Sequence, residues 1–209
     1  MDLAPQWRPA VLHPALTEDR LRAIAQIIWD RATKVAQIAE PEQGDTGWGI
    51  GCRRYEWWKA ALSKAAVGEL VEFLSVSARS SHFLLKVASV PIRLYRGNWQ
   101  KRVPARYATP SRLEVQQMEL AFGSGFVDVG PLRLVLETDA RHLPVRICFA
   151  RVSPTGELTD ITEIPIDRGA SKVVPLLRAE PKVSVAPLSL TDAAARSRRR
   201  PRLESQEGA

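Results

Sequence analysis

Apolar positions along this chain follow two different spacings. Leu21, Ile24, Ile28, Val35 and Ile38 recur near the three- and four-residue interval that makes one helix face. Thr17 stands before them as a cap, Glu18 and Asp19 fall in the first turn, and Pro41 bounds the far end. Two readings fit this run: one helix to about Ala39, or a helix that breaks near Arg31 with Val35 to Ile38 as a strand. Residues 1–16 are punctuated by proline, and Val11-Leu12 is their candidate for a short entering strand. Asp45 to Ile50, with two glycines, predicts a tight turn and a brief extended segment. Tyr55 to Ala66 is rich in aromatic residues and alanine, holds no breaker, and predicts a helix. Leu70 to Phe73 either continues it or closes a turn after Gly68.

Strand signals follow. His82 to Val87 and Val90 to Tyr95 are apolar runs with basic interruptions. Gly97 to Pro110 reads as a basic, aromatic loop. Ser111 caps a predicted helix to Phe122, with Leu113, Gln117 and Leu120 along it and Gly123-Ser124-Gly125 ending it. Leu132–Glu137, Val145–Arg151 and Leu158–Ile164 predict a three-stranded antiparallel meander, with Pro154-Thr155-Gly156 as its second turn. From about Arg168 the periodicity is lost. The pattern predicts an α+β protein: a mixed α/β domain over 1–125, a β-meander subdomain over 126–167, and a disordered basic tail over 168–209.

Composition adds bounds. At 209 residues, 45% hydrophobic and 25% charged, the chain can bury a sizeable core. Its net charge of +7 and isoelectric point near 9.8 suit nucleic acid, nucleotides or acidic partners. Cys52 and Cys148 have no framework spacing, which favours a reduced, cytoplasmic setting. Met1 to Pro5 lacks a basic or apolar leader pattern, and no apolar run approaches the ~18 residues of a bilayer span, so no membrane partner is expected. His13, His82 and His142 are isolated, and no metal site is expected from spacing. Asp128, Glu137 and Asp139 read as a solvent-facing strand edge. Walker A, HExxH and GxSxG patterns do not occur.

The candidate chemistry gathers at Gly51-Cys52-Arg53-Arg54-Tyr55-Glu56, where the pattern places the start of a helix. Unpaired amides and the positive end of the helix dipole would favour an anion there, and would make the Cys52 thiolate more available. A nucleic-acid surface is expected from Arg96, Trp99, Lys101, Arg102 and Arg106, with Tyr107 beside them. Arg198, Arg199 and Arg200 in the terminal run would add phosphate affinity. Trp57 and Trp58 point about 100° apart on a helix, so one at most is free to stack on a base while the other packs inside.

The hexapeptide resembles the Gly-Cys-His-Arg-Tyr signature of sulfiredoxins and the Gly-Glu-Arg-Arg-Trp signature of ParB-type partition proteins, which share a fold. Over residues 8–66 the expected context is a proline-containing start, a helix from Leu21 to Ile28, and a hairpin before the signature. Val90-Pro91-Ile92-Arg93-Leu94 resembles the Val-Pro-Ile strand that follows the signature helix in this superfamily, after an insertion. The resemblance implies a ParB/sulfiredoxin-like mixed α/β core in which amides at Gly51, Cys52 and Arg53 hold the phosphates of ATP or CTP, with Mg2+, while Arg54 supplies charge. Cys52 occupies the position of the sulfiredoxin catalytic thiol and Arg53 that of its histidine. The superfamily also includes plasmid fertility-inhibition proteins that resemble nucleotide-hydrolysing nucleases.

The expected function is therefore nucleotide-dependent action on DNA, of ATPase or nuclease type, with Cys52 and Arg54 as candidate catalytic residues. Two alternatives stand beside it: a sulfiredoxin-like thiol enzyme using Cys52, and a non-enzymatic adaptor or inhibitor that binds a protein partner.

Overall fold

Two helices joined by a tight turn form one layer of the protein. The computed structural model describes residues 9–79, 82–123 and 129–168. The arginine run at 196–202, with Arg198, Arg199 and Arg200, and the expected tail from 169 onward lie outside them. Val11-Leu12 is not an entering strand: α1 (Pro9–Leu12) is a single helical turn, closed by His13 N–H on the Pro9 carbonyl at 3.2 Å. Proline's fixed φ suits a first helical position. Thr17 caps α2 (Glu18–Gln37) by accepting from the Arg20 amide. The helix runs unbroken past Arg31, because Leu21, Ile24, Ala25, Ile28, Ala32 and Val35 form one continuous buried stripe. Val35 thus belongs to the helix face, not to a strand.

A 3-10 turn (Pro41–Gln43) ends at Gly44, whose φ of 101° suits glycine. α3 (Gly47–Ala66) then begins well before the expected helix. The Asp45–Ile50 segment is not a turn followed by an extended run: Thr46, itself extended, is the N-cap, its hydroxyl accepting from Gly49 N–H at 3.1 Å, and Gly47 to Ile50 are helical. Ile50, Arg54, Trp58, Leu62 and Ala65 line up as the buried stripe, so burial of Ile50 carries the helix back through its glycines. The hairpin implied by the resemblance is absent, since residues 29–50 continue α2, turn once and enter α3. Trp58 is the buried member of its pair, its indole N–H donating to the Ile28 carbonyl at 2.9 Å, while Trp57 stays half-buried. The bond ties α3 to α2.

The second layer is a six-stranded mixed sheet in sequential order: β1 (Leu74–Arg79), β2 (His82–Val87), β3 (Val90–Arg96), β4 (Leu132–Thr138), β5 (Pro144–Val152) and β6 (Leu158–Glu163). All pairings are antiparallel except β3 with β4, where Arg93 stands opposite Arg133 and Leu94 opposite Leu134. A parallel pair needs a crossover, and residues 97–131 supply it. They carry α4 (Ala105–Ala108) and α5 (Arg112–Phe122), the latter started by a capping box of Ser111 and Glu114 and stopped at Gly123. Along α5 the buried positions are Glu114 and Met118, not Leu113 and Leu120, and Leu120 is exposed.

Strand alternation separates two cores. Leu94, Leu134, Leu136, Ile147 and Phe149 pack against α2 and α3, while Tyr95, Val135 and Val152 meet Val103 and Tyr107 in a smaller cluster. Gly97 follows β3 at a place where an added Cβ would collide with the Tyr95 hydroxyl. Among the described residues no helix is long and apolar enough to cross a membrane.

Candidate functional site

The stripe that draws α3 onto the core buries an arginine in its middle. Arg54 is 1% exposed. Its Nη2 donates to the His142 carbonyl at 3.1 Å, while Nε and Nη1 have no protein partner. No carboxylate pairs with it among the described residues. Burial, with a smaller contribution from the neighbouring Arg96 charge, lowers its pKa to about 10. The side chain remains a cation at neutral pH, and one carbonyl bond without a counter-charge compensates its desolvation only in part.

Arg54 lines a cleft of about 410 Å³. From α3 come Gly51, Cys52 and Tyr55, with Trp48 and Glu56 also lining it; β3 adds Leu94 and Arg96, and α4 adds Arg106 and Tyr107. Three guanidinium groups thus meet one carboxylate, that of Glu56, on an exposed residue. Trp48 is 80% exposed and leaves an aromatic face in solvent. Tyr107 is held from several sides: Arg106 lies 4.9 Å and Arg93 5.3 Å from its ring centre, and the Tyr95 ring lies tilted against it at 5.0 Å. Its carbonyl accepts from Arg133 Nε at 2.7 Å. Arg133 in turn pairs with Glu114, and both are fully buried. A strand of the sheet and the cap of α5 therefore fix the wall of the cleft.

The structure corrects the expected chemistry of the hexapeptide. Gly51, Cys52 and Arg53 sit in the second turn of α3, where helical geometry commits each amide to the carbonyl four residues back. They make no amide cradle, because capping at Thr46 moves the helix start upstream. Arg53 points elsewhere and is engaged bidentately by Asp45, at 3.0 and 3.2 Å. The Glu40 amide and then Arg53 hold the Asp45 carboxyl below its usual pKa. Cys52 is exposed and lines the cleft, but without a helix terminus beside it. Arg54 remains, as a side chain rather than as part of a backbone cradle.

The expected nucleic-acid residues divide. Arg96 and Arg106 enter the cleft. Lys101 and Arg102 are exposed outside it, and Trp99 has Arg146 over one face at 5.6 Å. Sequence reasoning missed His142, which the β4–β5 turn brings beside Arg54 and Arg96, in a second opening that adjoins the cleft at Arg96. Its Nδ1 lies 3.4 Å from Arg96 Nη1, and its main chain receives Arg54. An isolated histidine carries no spacing signal. Its positive φ of 66° at a turn is visible only in three dimensions. Among the described residues no group of three His, Cys, Asp or Glu could hold a metal.

No family model, characterised protein or solved structure matches this chain.

Proposed function

We propose that this protein binds a nucleotide through its phosphates in the cleft between α3, β3 and α4, and acts on DNA in a nucleotide-dependent way. One observation carries the reading: Arg54, almost wholly buried and with two donors that lack a protein partner, borders a cleft that also holds Arg96 and Arg106. Burying an unpaired cation costs several kcal/mol, and a phosphate supplies both the missing charge and the missing acceptors. Trp48 offers an exposed ring face of the kind that stacks on a base. The flanking Lys101 and Arg102 extend positive charge along the same loop, which suits a phosphate backbone. The residue types of Gly51 to Glu56 are those of the ParB/sulfiredoxin signature, and that resemblance points to the same ligand class through a different local geometry.

Isothermal titration of ATP and CTP into the full chain tests the reading. Binding should weaken by more than ~1.5 kcal/mol in Arg54→Met, the scale of a charge-assisted hydrogen bond. Failure of folded wild type to bind either nucleotide overturns it. DNA contact is tested by fluorescence anisotropy at several salt concentrations, where affinity should fall steeply as salt rises.

Cys52 in the wall of the cleft supports a second reading, a thiol enzyme of sulfiredoxin type. Cys52→Ser should then abolish a thiol-dependent activity. Unchanged activity removes it.

A further inference from the structure

Arg96 and His142 are joined in a way that binding of an anion would have to change. A guanidinium has no acceptor, so at the 3.4 Å contact Arg96 Nη1 donates and His142 Nδ1 accepts. The imidazole is therefore neutral, with its proton on Nε2. Charged groups reach this ring from three elements: Arg54 on α3, Arg96 on β3, and Asp139 in its own turn. Glu137 and Asn98 also border it across a second opening of about 310 Å³, which shares Arg96 with the cleft and leaves the ring accessible to solvent protons. The turn holds the His142 backbone in place, since the Asp139 carboxylate accepts from Leu143 N–H at 2.8 Å and the Asp139 carbonyl from His142 N–H at 3.1 Å.

Resting on the reading of the cleft as an anion site, we infer that its ligand is a doubly charged, terminal phosphate-type oxyanion and that His142 takes up a proton as this ligand binds. Without a ligand, two arginines oppose charge on His142. An oxyanion seated between them removes that opposition and attracts Arg96 away from Nδ1. Nδ1 then has an unused lone pair beside a negative charge, and protonation converts it into a third cationic donor. Arg54, Arg96 and the imidazolium together match a dianion better than the single charge of a phosphodiester. The ring's pKa without ligand is lowered by burial, then by Arg54 and Arg96, with Asp139 acting the other way. The bound anion raises it. A group whose pKa is higher in the complex makes binding tighter as pH falls through that interval.

The probes are sulfate and methyl sulfate, tetrahedral oxyanions with charges of two and one that do not titrate in the range used. Full-length protein should bind sulfate increasingly tightly from pH 8 to pH 6, by up to ~10-fold per pH unit for one proton. Calorimetry in two buffers of different ionisation enthalpy should show net proton uptake, and methyl sulfate should bind more weakly with a flatter profile. His142→Asn, which suits the left-handed backbone and keeps an acceptor near the Nδ1 position, should abolish the proton uptake. Sulfate binding that needs Arg54 yet shows no pH dependence and no proton uptake overturns the inference and leaves the cleft reading intact. So does equal affinity for both probes. No sulfate binding at any pH overturns the cleft reading and the inference with it.

Discussion

At the scale of single residues, Arg54 sets stability against binding. Its guanidinium is buried without a counter-charge. An apolar side chain of similar length removes that penalty, so Arg54→Met should raise unfolding stability by about 1 kcal/mol while weakening anion binding. Urea denaturation read beside titration checks both signs. The two thiols differ as sharply. Cys52 is exposed, whereas burial first, and nearby Glu163 next, push the Cys148 thiol up to about 12. One thiol should react with a disulfide reagent in native protein and two in denaturant. Because Cys148 ionises at higher pH folded than unfolded, its contribution is intact below about 9 and is lost as pH climbs towards about 12. Wild type should therefore lose more stability than Cys148→Ala over that interval, by up to about 1.4 kcal/mol per pH unit. Residue types alone revealed little of this. Arg54 was recognisable as a cation in a motif, but its burial depends on Ile50 and Trp58 facing the core on either side of it.

Elements were legible where local chemistry and core contact agree. Thr17 and Ser111 each begin a helix at the expected place, and Gly123 ends one. α3 was misread because Gly47, Gly49 and Gly51 are poor helix formers, and their contribution is outweighed by the Thr46 cap and the buried Ile50. Thr46→Ala should cost about 1 kcal/mol and fray the first turns, loosening the cleft wall at Gly51. Amide hydrogen exchange at residues 47–51 reports it. β1 gave no strong signal, since its alternation rests on two large apolar residues, Leu74 and Val76, in one short edge strand. α5 depends on a residue with two roles: Glu114 closes the capping box and pairs with Arg133 inside the protein. Glu114→Gln leaves Arg133 buried beside Arg93 without its anion and should cost about 3–5 kcal/mol. Adding Arg133→Met should recover much of that loss. Independent, additive losses in chemical denaturation would show that the pair is not the cause.

For the whole molecule, the α+β class and the β4–β5–β6 meander followed from spacing, because sequential antiparallel strands need only short turns and alternating faces. The site did not, because it forms where α3, β3, α4 and the β4–β5 turn converge, and Arg54 meets His142 across a long sequence separation. Arg133 shows the same limit: strand alternation in Leu132-Arg133-Leu134 suggests an outward-facing cation, yet Tyr107 and Glu114 cover it. The lone parallel pairing, β3 beside β4, also has a consequence in time. Every other strand pair is joined by only a few residues, whereas this one must wait for the crossover over 97–131 to bring distant segments together. Loop closure is an entropic barrier met before any reward from contacts. Register between Leu94 and Leu134 should then decide how fast the chain reaches its native state. In stopped-flow refolding, Leu134→Ala should slow the folding limb, while Leu62→Ala at the α2–α3 contact should chiefly hasten unfolding. The reverse pattern would place the helix pair, rather than the joining of the two strand groups, at the rate-limiting step.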